Sequence, residues 1–436
     1  MSKPLTYLLA SCLGLTACSA DYGGDRPDTT APPLAVTPSS NAHVLEVEAN
    51  TVDLTTDDIK SLKRDFHDRF KRSDRSIISI AQFVGQQRQA LSLSSRSVDK
   101  LYLSLAFRFL CPDVPTPDPV NGWGAGDQAG NTNTQGSGTA CRAGILQSYR
   151  NHGKLYKVDH VMTNDSPMSA FADKPFLIEP KETFCLPYTR FCGHSEYISG
   201  EIGGQGTQLD FFGHVGLRPT PASDPSETMF YNGFTAEEVY NGALSADAVN
   251  PVNGIGILLD ARSYLGNGTP LTPDRVITKE EVEQMIVAHD LDWLGLQPGM
   301  TVFIYTGKAE GWTSDPYYYY AGPGIRVEVM TDLYIPNGIV YHGLDNPFSD
   351  QAILNPDGSI IANSGDDPEI GFPIHANALM NGILQSQNLN LTEMAADHVY
   401  LFSIQMSAPR VAKAKGAMVS PQTYGEPWMN QSPTMQ

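Results

Sequence analysis

The spacing of hydrophobic positions changes about one third of the way along the chain. Between residues 50 and 98, Ile59, Leu62, Phe66 and Phe70 recur at roughly helical spacing, and the run 55–58 before them offers a helix N-cap. Beyond residue 150, short β-branched or aromatic runs are separated by Gly, Pro, Asn and Asp, which is typical of strands joined by turns. The pattern predicts a helical N-terminal extension followed by a strand-rich domain of the α+β class.

Three runs in the second part predict buried strands: 257–259, 302–305 and 400–404. Helices are fewer, and the sequence predicts them at about 235–243, 278–289, 375–385 and 391–396. Residues 112–140 are rich in Pro, Gly, Asn and Thr and predict a long loop, which is unusual in a compact domain unless it is pinned or functional.

The first 18 residues resemble a targeting segment. Lys3 supplies a positive start, and an apolar stretch too short to span a bilayer follows it. Residues 15–18, which end in Cys18, are similar to a lipobox, in which the cysteine is lipidated and becomes the first residue of the mature chain. The alternative is an ordinary secretory signal with a chance cysteine. Residues 19–49 are poor in large apolar residues over most of their length and predict a flexible tether.

We therefore expect an outer-membrane lipoprotein that faces the periplasm or the cell exterior. Ser19 and Ala20 follow the cysteine, and the absence of an aspartate there favours the outer membrane over inner-membrane retention. No second apolar run approaches the ~20 residues of a membrane span, so the lipid is the only expected contact with the membrane.

Four of the six cysteines remain in such a mature chain: Cys111, Cys141, Cys185 and Cys192. An even number in an oxidising compartment suggests two disulfides, and four cysteines allow three pairings. The pairs Cys111–Cys141 and Cys185–Cys192 close the shorter loops and are preferred. A zinc site is the competing interpretation, but no C-x-x-C spacing supports it.

The net charge of −19, from 29 basic and 48 acidic residues, argues against nucleic acid and anionic membrane as partners. The charge says little about the fold.

The stretch 203–214 carries the clearest chemical signal. It resembles the motif His-x-Gly-Thr-His-x-Asp-x-x-x-His of the cyclase / kynurenine formamidase-like family, matching it at Gly206, Thr207, Asp210 and His214. The second histidine of the motif is Gln208 here, as in a long-chain branch of that family, and the first is Gly204. Gln205 could stand in for the first position by a shift of one residue.

Further stretches resemble the family in the right order, over roughly residues 150 to 410. These are 153–160, 254–260, 277–281, 296–307 and 374–391. The last contains His375, which matches the family's histidine, and Gln387, which replaces its glutamate. The resemblance implies a swivelling β/β/α cyclase-like fold and allows a homodimer or homotetramer. The implied organisation is a helical extension with a Cys-bounded loop at 50–149, a cyclase-like domain at 150–415 and a C-terminal tail at 416–436.

The same resemblance implies a metal-dependent hydrolase of a small amide, lactam or lactone. Its metal ligands would be Asp210, His375, Gln208 and Gln387, with His214 as the catalytic proton carrier. Glutamine is neutral and a weak ligand, so a divalent ion such as manganese, zinc or magnesium would be held weakly or not at all. The alternatives are a lipid-anchored pseudoenzyme that binds a small molecule in a degenerate site, and a structural role for the extension.

For two further groups of residues, the sequence allows more than one role. The spare histidines His160, His194 and His342 are more typical of hydrogen-bonded structural residues than of replacement ligands. The tyrosine run 317–320 fits either a partly exposed edge or the aromatic wall of a pocket or subunit interface.

Overall fold

The computed structural model describes residues 51–149, 153–201, 203–355, 359–362 and 364–427. The predicted signal segment, the tether and the last residues of the predicted tail lie outside these ranges. No helix in the described ranges is both long and apolar enough to cross a bilayer.

Helices cluster before residue 150 and are short after it. Their bounds are α1 Thr56–Arg69, α2 Ile77–Leu91, α3 Ser95–Phe109, α4 Ser137–Tyr149, α5 Ala236–Asn241, α6 Ala261–Tyr264, α7 Lys279–Ala288, α8 Pro373–Met380 and α9 Thr392–Ala396. Thr55 caps α1 as predicted, since its hydroxyl accepts from the backbone of Asp58 and the Asp58 carboxylate accepts in return. The helix predicted at 375–385 is too long at its C-terminal end. Gly382 adopts a left-handed φ of 74° and turns the chain into a strand.

Strands make up most of the remainder. Their bounds are β1 Lys154–Lys157, β2 Leu177–Pro180, β3 Phe184–Cys185, β4 Cys192–Gly193, β5 Glu196–Ser199, β6 Gln208–Asp210, β7 Val252–Asp260, β8 Val276–Ile277, β9 Thr301–Tyr305, β10 Ala321–Gly322, β11 Gly324–Ile325, β12 Tyr341–Leu344, β13 Ala352–Leu354, β14 Ile360–Ala362, β15 Leu384–Gln387, β16 Leu401–Met406, β17 Gly416–Met418 and β18 Gln422–Gly425.

A curled nine-stranded sheet organises the fold, in the order β1-β18-β16-β7-β9-β12-β15-β6-β17. Its centre, β7-β9-β12-β15, is parallel, and antiparallel strands extend it on both sides. The strands β17 and β18 lie after residue 415, in the segment that the sequence analysis assigned to a tail. The mixed helix-and-sheet class is the one predicted.

Both faces of the central sheet are covered, because successive residues of a strand point to opposite faces. In β9, Val302 and Ile304 pack into one core and Phe303 and Tyr305 into the other. The first core also contains buried residues of α1, α2 and α3, such as Phe66. Of the N-terminal helices, α4 packs on β7 and β16, and α3 packs on α1, α2 and α4, so these helices share one core with the sheet of their own chain.

The two predicted disulfides are present, Cys111–Cys141 and Cys185–Cys192. The first closes the predicted long loop, and that loop is pinned elsewhere as well. Asn131 donates its side-chain N–H to the carbonyl of Ile339, and its backbone N–H to that of Gly382. The loop is also shorter than predicted, because α4 begins within it at Ser137.

Candidate active site

Two neighbouring antiparallel strands, β6 and β15, carry four of the polar side chains of the candidate site. In the register of β6 with β15, Gln385 lies opposite Asp210 and Gln387 lies opposite Gln208. Residues two apart on a strand share a face, and directly opposed residues share it as well, so all four polar side chains meet on one face of the sheet. All four are buried, and Asp210 and Gln387 are fully enclosed.

Asp210 is the centre of this cluster. Its Oδ2 accepts from the side-chain amide of Gln387 at 2.7 Å and from that of Gln385 at 3.4 Å, and its Oδ1 accepts from Gln208 at 3.4 Å. The amide hydrogens of three glutamines therefore surround one buried carboxylate. A buried carboxylate needs such donors, because removing it from water is costly unless its charge is compensated.

His375 reaches the same point from the first turn of α8. Its Nε2 lies 3.8 Å from Asp210 Oδ2 and 2.9 Å from the amide nitrogen of Gln387. The imidazole is largely buried. The structure thus brings together Asp210, His375, Gln208 and Gln387.

His214 stands at the outer side of the cluster. Its Nε2 lies 3.9 Å from Asp210 Oδ1, and its side chain is 39% exposed. All five side chains predicted from the sequence therefore converge, with His214 facing solvent.

Asp350 contacts the imidazole of His375 at Nδ1, the ring nitrogen that does not face Gln387. Its Oδ2 lies 2.6 Å from His375 Nδ1, and the carboxylate also accepts the backbone N–H groups of Ile374 at 2.7 Å and His375 at 3.3 Å, in the first turn of α8. With the proton assigned to Nδ1, the lone pair of Nε2 accepts from Gln387. Burial lowers the pKa of His375, but the hydrogen bond to Asp350 and the charges of Asp350 and Asp210 outweigh burial and raise it above its usual value.

The donor set does not fit a resident divalent metal. A cation between Asp210 Oδ2 and His375 Nε2 would face the hydrogens of the Gln387 amide nitrogen, which lies 2.7 Å from one and 2.9 Å from the other. The amide hydrogens at that point already satisfy both groups. In the described part of the chain, no three His, Cys, Asp or Glu side chains are grouped as metal ligands.

Sequence reasoning missed two members of the site, Asp350 and Gln385, and left the role of His342 open. The strand period was a signal for Gln385, which lies two residues before Gln387. His342 Nε2 contacts Gln385 Oε1 at 3.0 Å, and burial lowers the pKa of His342 to about 3. Two hydrogen bonds, through the Gln385 amide, connect this neutral imidazole to Asp210. No pattern in the sequence pointed to Asp350, which comes from a separate loop.

The other spare residues have structural partners. His194 contacts Thr183 Oγ1 at 2.7 Å. The Gln205 amide binds backbone groups of residues 174, 176 and 201, so it does not stand in for the first histidine of the motif.

A group of aromatic side chains is connected to the cluster through the residue that follows Gln387. His160 stacks on Trp312 with ring centroids 4.3 Å apart, and burial lowers the pKa of His160 to about 4. Within the tyrosine run, Tyr318 and Tyr319 are buried, whereas their two neighbours are exposed. Asn388, the residue after Gln387, donates to the hydroxyl of Tyr319 at 3.0 Å.

Comparison with known proteins agrees with this architecture. Residues 156–351 match the family model described as "Putative cyclase". No curated protein shows significant sequence similarity to the chain.

Among solved structures, the chain is similar to a crystal structure of a novel cyclase, with 19% identity and a TM-score of 0.56, over 69% of this chain and 97% of that one. It is also similar to isatin hydrolase A from Ralstonia solanacearum, with 14% identity, a TM-score of 0.45, and coverage of 63% and 92%. The Bacillus stearothermophilus structure described as a predicted metal-dependent hydrolase matches at 13% identity and a TM-score of 0.38, with coverage of 63% and 99%. The first of these similarities shows that the chain has a cyclase-like fold.

Proposed function

We propose that this protein is a hydrolase of the cyclase type that cleaves a small amide, lactam or lactone outside the cytoplasm. The observation that carries the proposal is the buried series Asp350–His375–Gln387–Asp210, in which an imidazole is held between two carboxylates. A histidine oriented by a carboxylate is the usual arrangement for a general base.

His375 is the proposed base. Asp350 holds the proton on Nδ1 and leaves the Nε2 lone pair directed toward Gln387 and Asp210. In the reaction, a water molecule replaces the Gln387 amide as the partner of Nε2. Nε2 takes a proton from this water, the water oxygen attacks the substrate carbonyl carbon, and the C–N or C–O bond breaks. The imidazolium returns the proton to the leaving nitrogen or oxygen, so an open-chain amide gives a carboxylic acid and an amine, and a lactam or lactone gives one ring-opened acid that carries the amine or alcohol. The raised pKa makes His375 a stronger base than free imidazole.

Asp210 and His214 have supporting roles in this proposal. The negative charge of Asp210, 3.8 Å from Nε2, stabilises the imidazolium as it forms. His214 is partly exposed and lies on the other side of Asp210, where it can pass protons to solvent. Since the donors around Asp210 do not fit a resident metal, none is assigned to the reaction.

The test is hydrolysis of a panel of small lactams, lactones and aryl amides, followed by carboxylate release, with and without a chelator. We expect His375→Gln to lower the rate by at least about 100-fold, in the range of general-base contributions. Gln405→Glu, on the exposed side of β16, is the matched control. Activity that is lost on chelation and restored by one metal would overturn the metal-free mechanism. No turnover of any compound, together with tight binding of one, would favour the second candidate.

The second candidate is a binding protein in a degenerate site. It is favoured by the three glutamine amides that satisfy the Asp210 carboxylate and leave it without an open position. Such a protein would gain thermal stability from its ligand by mass action, without forming product.

The location is part of the proposal. Two disulfides are typical of proteins in oxidising compartments, which supports a site outside the cytoplasm. The lipid anchor at Cys18 lies outside the described residues and stays a prediction.

A further inference from the structure

A cavity of about 240 Å³, separate from the candidate active site, lies among the N-terminal helices. Three basic side chains from three different helices line it: Lys63 of α1, Arg108 of α3 and Arg142 of α4. Asp113 is the acidic residue of the lining. A basic cavity is unexpected in a chain with a net charge of −19. Its lining indicates that this part of the protein attracts a negatively charged ligand.

The basic groups are only partly compensated within the described residues: burial lowers the pKa of Arg142, and the charge of Asp113 opposes that effect. None of the three forms an ion pair there, and Arg142 instead donates from Nη1 to the amide oxygen of Gln297 at 3.0 Å. Burial, and then the charges of Arg108 and Lys60, lower the pKa of Lys63. A bound anion would relieve this repulsion between like charges.

Buried donors without partners give a second, independent observation. Ser104 is 3% exposed and Trp293 is 5% exposed, and both line the cavity. Within the described residues, Ser104 Oγ, Trp293 Nε1 and Arg142 Nε have no hydrogen-bond partner. Buried polar atoms are paired in the great majority of cases, so these groups indicate a ligand that supplies acceptors.

We infer that this cavity binds a small organic anion through a carboxylate or phosphate group. A guanidinium fork recognises such oxyanions with two parallel hydrogen bonds, and the indole N–H and serine hydroxyl add neutral donors. Phe107 and Leu294 supply an apolar surface for the body of the ligand. The volume lies below the roughly 300–1,000 Å³ of drug-sized pockets, which restricts the ligand to a small metabolite. The inference does not depend on the hydrolase proposal, because none of these residues belongs to the site around Asp210.

Calorimetric titration of the full chain with inorganic phosphate and, separately, with benzoate tests the inference. We expect at least one probe to bind, and the tighter of the two identifies the class of oxyanion. Arg142→Gln should weaken binding by about tenfold or more, which corresponds to about 1.4 kcal/mol. Arg64→Gln, on the exposed side of α1, is the matched control and should leave the affinity within about twofold of the wild type.

Trp293→Phe keeps an aromatic ring, although a smaller one, and removes the N–H, so it tests the same site if Arg142→Gln fails to fold. It should weaken binding several-fold while the melting temperature stays close to that of the wild type. The inference is overturned if neither probe binds at concentrations up to about 10 mM. Equal affinity in the wild type and in both cavity variants would also overturn it, because the anion would then bind elsewhere.

Discussion

The side-chain amide of Gln387 lies between Asp210 and His375, 2.7 Å from the Asp210 carboxylate and 2.9 Å from the imidazole nitrogen. It joins a residue of β6 to a residue of α8 and turns amide hydrogens, which do not bind a cation, toward both groups. One neutral side chain thus decides which chemistry this site supports.

Restoring the missing ligands should restore metal binding. In the variant Gln208→His/Gln387→Glu, an imidazole and a carboxylate face Asp210, and two of the three glutamine amides that now donate to it are gone. We expect zinc affinity to rise by at least about tenfold, or about 1.4 kcal/mol, in equilibrium dialysis. Adding Asp210→Asn to this variant should abolish the gain, because Asp210 is the charged group at the centre. Unchanged zinc binding in the double variant would contradict the geometry described for these side chains.

The Asp350–His375 pair should set the pH dependence of hydrolysis. The base form of His375 increases as pH rises through its raised pKa, so the rate should increase with pH and have its midpoint above the usual value of about 6.5. Asp350→Asn removes the first of the groups that raise this pKa, so the midpoint should move to lower pH while kcat falls. A pH profile that keeps its midpoint in Asp350→Asn would contradict the assignment of His375 as the base.

The same pair should make stability depend on pH. A histidine whose pKa is raised by folding stabilises the folded state fully below its unfolded pKa of about 6.5, and this contribution is lost as pH rises through the folded pKa. The difference in the free energy of unfolding between the wild type and His375→Gln should therefore be larger at pH 6 than at pH 9. Urea unfolding at the two pH values measures it, and a difference that grows toward pH 9 would contradict the direction of the shift.

The two disulfides should contribute unequally. In the chain-entropy description, the Cys111–Cys141 link contributes about 4 kcal/mol and the shorter Cys185–Cys192 link about 2.5 kcal/mol. Replacing each pair by serine and measuring unfolding in urea tests the order. Since Cys111 also lines the basic cavity, loss of the first pair should weaken anion binding, whereas loss of the second should not.

The predicted lipid anchor has a direct test. The mature chain extracted from membranes should begin at Cys18 and carry the mass of the attached lipid in intact-mass analysis. A mature N-terminus at Ser19 or beyond would contradict the prediction, and a Cys18→Ser variant released from the membrane fraction would support it.

Much of the local structure was predictable because it depends on neighbours in the sequence. The cap at Thr55, the α+β class and the two disulfide pairs follow from short patterns, and the structure confirms each. The end of α8 was not predicted correctly. There the close approach of Gly382 to Gly130, a contact between distant segments, accompanies the early turn.

The sequence by itself determined which residue types the site contains, since Gln208, Asp210, His214, His375 and Gln387 were all identifiable by their order along the chain. Only the tertiary structure decided what these residues do to one another. The register of β6 with β15 places four polar side chains on one face, and a loop far from the motif brings Asp350 to His375. Strand register depends here on packing between segments more than 100 residues apart, and the approach of Asp350 to His375 depends on how the chain folds back over the 25 residues between them. A local pattern carries no information about either.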